Sequence, residues 1–140
     1  MSDEKIAYLQ LLQEPICRMS TISAIFKGFA ATVLAGVSAV PYATVKIPVL
    51  FLSFFPVLVF LALDIYYLSL ERKFRFLYNQ VRKGNHPIDF SMDLPKSSND
   101  LVKSKARVRD CLKSPSIWLF YSLILLILIL VFVLKCKGIV

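Results

Sequence analysis

Residues 49–81 read VLFLSFFPVLVFLALDIYYLSLERKFRFLYNQV, and this stretch limits the fold more than any other. Up to Asp64 it is apolar and aromatic, interrupted only by Ser53 and Pro56. It turns basic at Arg72, Lys73 and Arg75 with no Gly or Pro to end a helix. Residues 49–70 number 22, and a helix crossing the hydrocarbon core needs about 20. The stretch therefore predicts a membrane span that leaves lipid through Tyr66 and Tyr67 and continues into water as a basic stem.

The rest of the chain fits that solvent. Its 140 residues make one domain at most. Hydrophobic residues make up 57% and occur in long blocks, with a mean hydropathy of +0.66. That is the composition of an integral membrane protein. A net charge of +8 would point to nucleic acid in a soluble chain. Here it is read first as the basic flank of membrane spans.

Residues 1–21 place Ile6, Leu9, Leu12, Ile16 and Met19 on one helical face. Ser2 can cap that helix, and Asp3 and Glu4 suit its positive end. The result is an amphipathic helix, set either on the membrane or against the aqueous part of the chain, with Pro15 expected to kink or divide it. A first span is expected over about 22–44. Its row Ala24, Gly28, Thr32 and Gly36, and a second row at Ala31, Ala35 and Ala39, offer the close backbone approach that holds helices together in lipid. This predicts an oligomer interface. Pro41 and Pro48 bracket a short exterior turn, so spans 22–44 and 49–70 form a hairpin, the second bent at Pro56.

The stem carries Leu70, Phe74, Leu77 and Val81 at helical spacing, a stripe suited to a second copy of the chain. Gly84 and Pro87 end it. A loop over 84–99 leads to a second basic helix at about 100–113, completing segment 71–116. The third span, 117–134, is almost wholly Leu, Ile, Val and aromatics, with Trp118 and Tyr121 marking its interface end, and reads as an outer, lipid-facing helix. Residues 71–116 hold eleven Lys or Arg against five Asp or Glu, whereas the exterior turn holds Lys46 alone. Positive residues stay inside, so the N-terminus and 71–116 are expected in the cytoplasm and the tail outside. The first residues lack the pattern of a signal peptide, so the spans themselves are expected to direct insertion.

Two charges fall inside spans. Counted from the turn near Thr44, Lys27 lies 17 residues back and Asp64 lies 20 forward, depths that agree within about one helical turn. Either they pair, within a chain or between chains, or each reaches separately to the interface. Chemistry of other kinds is poorly supplied. Cys17, Cys111 and Cys136 have no paired spacing, and with His86 the lone histidine no usual metal-ligand set arises. Arg82 and His86 are Arg-x3-His, shorter than the Arg-x4-6-His of RNA-cleaving helical domains, and Gly84 and Pro87 would break the helix such a site uses. Neither catalysis nor a cofactor is expected. The basic residues Arg72, Lys73, Arg75 and Arg82 suit anionic lipid, RNA, a nucleotide messenger or a cytoplasmic protein.

The run LDIYYLSLERKFRFLYNQVRKG, with Arg18-Met19 and Lys27-Gly28, resembles a family of small bacterial membrane proteins of unassigned function. The resemblance covers residues 16–84 and implies a similar hairpin of spans in a bacterial inner membrane. By looser analogy of size and architecture, the chain is similar to small transmembrane effectors of antiviral defence, including the pore-forming accessory of RNA-targeting CRISPR systems. The expectation is an all-α, three-span protein with an N-terminal amphipathic helix and two basic cytoplasmic helices. Its expected work is to form or gate a homo-oligomeric pore, or perturb the membrane, on a cytoplasmic signal. The alternative is a non-catalytic scaffold that anchors a cytoplasmic protein or nucleic acid.

Overall fold

A computed structural model describes residues 3–39 and 46–137. The Ser2 cap, most of the turn expected over 41–48 and the end of the tail lie outside the described residues. The described chain is all helical: α1 Asp3–Ala39, α2 Ile47–Leu52, α3 Phe54–Lys83, α4 Ser98–Lys103, α5 Val108–Leu112 and α6 Pro115–Cys136. Helices α1, α3 and α6 are each long and apolar enough to cross a membrane.

The amphipathic segment and the first span form one helix rather than two. Pro15 lies inside α1 without ending it. A proline forfeits one backbone bond, and packing on α3 along both halves of α1 offsets that loss. At 37 residues, α1 is about 55 Å long, well beyond a bilayer core. Its first part lies on the stem of α3. Tyr8, Leu9 and Leu12 bury Phe74, Leu77 and Val81, with Ile16, Leu70, Tyr78 and Leu94 at the margin. The stem stripe is thus covered by the chain's own N-terminal helix, not left open for a second copy. Tyr8 is fully buried in that contact whereas Ile6 is exposed, so the apolar face is turned from the one the spacing suggests.

The second apolar segment is broken rather than bent. α2 stops at Leu52, Ser53 makes a turn, and Pro56 falls in the first turn of α3. Pro56 cannot donate to the Leu52 carbonyl and its ring crowds that group. Placing the break just before it leaves the proline where an N–H is not needed. α3 then runs unbroken from the apolar half into the stem. Gly84, at φ 77, ends it, with its own N–H bonded to the Val81 carbonyl and that of Asn85 to Gln80.

The basic helix expected over 100–113 is divided into α4 and α5. Lys105 sits between them at φ 52. The Ala106 N–H bonds the Leu101 carbonyl and that of Lys105 bonds Val102, the pattern of a helix stop. α6 is half covered rather than wholly outward. Ile117, Tyr121, Ile124 and Leu128 pack with Ala30 of α1 and Val57 of α3, while Trp118, Leu119, Leu126 and Leu130 stay exposed.

Candidate functional site

Between the stem core and the apolar bundle core lies a buried polar cluster. Ser23 and Lys27 are four residues apart on α1 and so share a face. That face meets Asp64 of α3, whose side chain is wholly buried. Lys27 Nζ lies 2.6 Å from Asp64 Oδ2, and 2.9 Å from Ser23 Oγ. The Ser23 hydroxyl in turn donates to Asp64 Oδ1. Within one chain, then, Lys27 and Asp64 are joined, and the serine completes a closed triangle.

Tyr121 of α6 adds the third long helix. It is 2% exposed, so it is a core residue rather than the interface marker its place near Trp118 suggests. Its hydroxyl is buried, makes no hydrogen bond of ordinary geometry among the described residues, and lies within reach of the Asp64 carboxylate. On the same two helices Phe26 and Phe29 stack on Phe60, and Tyr67 lies tilted against Phe26. An ion pair held this way fixes the register of α1 on α3. A charge left alone there is costly, so neither partner moves without the other.

The row Ala24, Gly28, Thr32 and Gly36 lies on the opposite, exposed side of α1. A Cβ built on Gly28 or Gly36 meets nothing within 4 Å. Thr32 turns its hydroxyl back to the Gly28 carbonyl at 2.9 Å, which hides its polarity from an apolar neighbour. Ala31 and Ala35 are exposed as well.

The four basic stem residues do not form one site. Arg72 donates to the carbonyls of Lys105 (2.7 Å) and Asp110 (3.0 Å), tying the 104–110 turn to α3. Ser69 strengthens that tie through the Ala106 carbonyl. Arg75 pairs with Glu71 at 2.7 Å. Arg72 and Arg75 share a cleft with Lys103 and Lys105, whereas Arg82 lines the next one with Lys83 and Lys103. Lys73 lies beside buried Cys111; burial pushes that thiol up, opposed by Arg72. His86 sits near Tyr8, with Nδ1 2.9 Å from the Pro87 carbonyl. No group of three metal-binding side chains occurs among the described residues.

The end of the stem is locked by Tyr8. Its hydroxyl reaches the Ser91 carbonyl and lies 3.4 Å from Asp89 Oδ1, with Phe90 against its ring. Burial and the Asp89 charge push the Tyr8 phenol above its usual range. The Ser91 N–H holds the Asp89 carboxyl below its own. Ser23, Tyr121 and Tyr8 are the residues that sequence reasoning missed. Ser23 alone left a signal, its four-residue spacing to Lys27. Compared with known families, curated proteins and solved structures, the chain matches none.

Proposed function

We propose that this chain is a multi-pass effector of a bacterial inner membrane, with its N-terminus and residues 71–116 in the cytoplasm. In this reading it assembles with copies of itself and opens a pore or disturbs the bilayer when a cytoplasmic signal rearranges the assembly. The observation that carries the reading is the uncovered small face of α1. Among the described residues, every other long apolar face either packs inside the chain or carries bulky side chains suited to lipid. Ala24, Gly28, Thr32 and Gly36 do neither, and small rows let helix backbones approach closely in lipid. The unbroken α3 supports the signalling part, since one rigid rod joins the stem to the bundle.

The test is leakage from liposomes together with the mass of the detergent-solubilised assembly. The expected result is ion leakage that requires an oligomer, with both lost in Gly28→Leu. Because nothing crowds Gly28, that variant keeps the fold of the single chain. A monomer that conducts nothing but retains a soluble partner supports the competing reading, a passive scaffold. The basic clefts along the stem are the observation in that reading's favour.

A further inference from the structure

We propose that the cleft where α3, α5 and α6 meet binds the phosphate of an acidic phospholipid. This rests on the membrane placement proposed above, though not on pore formation. The cleft measures about 480 Å³ and is lined by Arg72, Lys105 and Lys113, with Val102, Asp110, Ser114 and Pro115 completing it. Three cations against one carboxylate leave a net attraction for an anion. Arg72 is already positioned, because the Lys105 and Asp110 carbonyls take its Nη1 donors. A guanidinium has five N–H donors in a fixed fork, so others remain for a phosphate oxygen.

Lys105 is the most informative wall residue. It occupies the left-handed position of the α4 stop at φ 52, where a side chain is strained and glycine is the usual choice. The same stop at the end of α3 does use glycine, Gly84. A lysine held in a glycine's conformation suggests that its charge is worth more at this spot than the strain it brings.

The height of the cleft selects lipid over a soluble anion. Ser114 and Pro115 are where α6 begins, and Trp118, exposed over 66% of its surface, follows within one turn. Exposed tryptophan at the start of an apolar helix sits at headgroup level. Val102 lines the cleft and is exposed, and so are Val108 and Leu112 of the adjoining α5. A soluble polyphosphate has no use for these, whereas a phospholipid offers acyl chain to them and phosphate to the lysines.

The experiment titrates the purified full chain in detergent with phosphatidylglycerol or phosphatidylcholine and counts bound lipids by native mass spectrometry. Phosphatidylglycerol is expected to be retained in preference. Lys105→Gly and Lys113→Gln each weaken that retention about fivefold, the factor for one basic side chain near an anionic surface. Lys96→Gln, an equal charge change on the loop, leaves it unaltered. Lys105→Gly also melts no lower than the parent chain, since glycine relieves the strained φ; lipid loss without stability loss separates binding from folding. Equal retention of the two lipids, or the same loss in Lys96→Gln, overturns the site. So does an RNA oligonucleotide or pyrophosphate that binds with the same lysine dependence while phosphatidylglycerol does not. A chain that fails to enter bilayers at all refutes the membrane placement instead, whereas one that inserts and shows no lipid preference refutes only this site.

Discussion

The stem and the bundle share α1 and α3 and have apolar interiors alike, but their surfaces are opposite in character. In the stem, Leu12, Leu77 and Val81 are buried, and Arg75, Arg82 and Lys83 face outward. In the bundle the outward residues are Phe51, Phe55, Leu119 and Leu126, around a core of Ala30, Val57, Ile124 and Leu128, with Ser23 and Asp64 buried where it meets the stem. A single solvent does not favour both arrangements. Water rewards burying the stem stripe at roughly 25 cal/mol per Å²; against lipid tails that force vanishes, and helices hold together by packing and internal polar contacts. The change of surface, basic around the stem and apolar around the bundle, is what supports the proposal that α1 and α3 pass from one medium to another.

The contrast can be broken most severely at Asp64. Asp64→Leu strands Lys27 and removes the acceptor of Ser23, and should cost about 3–5 kcal/mol in thermal unfolding of the solubilised chain. Adding Lys27→Met should restore most of that, because the bundle interior needs no charge once neither partner is present. Next comes Leu77→Ala, expected to cost about 2–5 kcal/mol because its site is buried in the stem core. The matching Leu126→Ala, on the exposed side of α6, should change stability by less than about 0.5 kcal/mol. A similar cost at the two leucines would contradict the outward placement of Leu126.

Smaller effects sharpen the stem. Gly84→Ala puts a side chain at φ 77 and should cost about 1 kcal/mol, read from the same melts. The smallest effect follows pH. The folded Asp89 carboxyl lies below its ordinary 3.8, so its contribution is present above that value and lost as pH falls through the folded one. Tyr8 lies above its ordinary 10.0, so its contribution holds below that value and fades as pH rises past it. Asp89→Asn should therefore melt below the parent chain near pH 7, with the gap closing as pH falls through the folded value.

What the sequence made legible was what depends on bulk hydropathy and helical period. The long apolar helices that begin at Phe54 and Pro115, the stem stripe and the matched depths of Lys27 and Asp64 are of that kind. What covers the stripe was not legible, because an apolar face looks the same whether a second copy or the chain's own α1 meets it. The continuity of α1 was hidden by Pro15, a residue that breaks helices lacking tertiary support. Tyr121 was hidden because a tyrosine beside Trp118 in an apolar run has the pattern of an interface anchor, and only the packing of α6 turns it inward. The split at Lys105 carried no signal, since no glycine marks it.

The native thiols test the central claim most directly. Cys17, on the stem side of Lys27, and Cys136, at the far end of α6, are both exposed, while Cys111 is buried. If three helices cross the bilayer, Cys17 and Cys136 lie on opposite sides of it. A membrane-impermeant maleimide added to sealed right-side-out vesicles should modify Cys136 alone, with Cys17 following only after detergent and Cys111 only on unfolding. Modification of Cys17 and Cys136 together from one side would contradict the account.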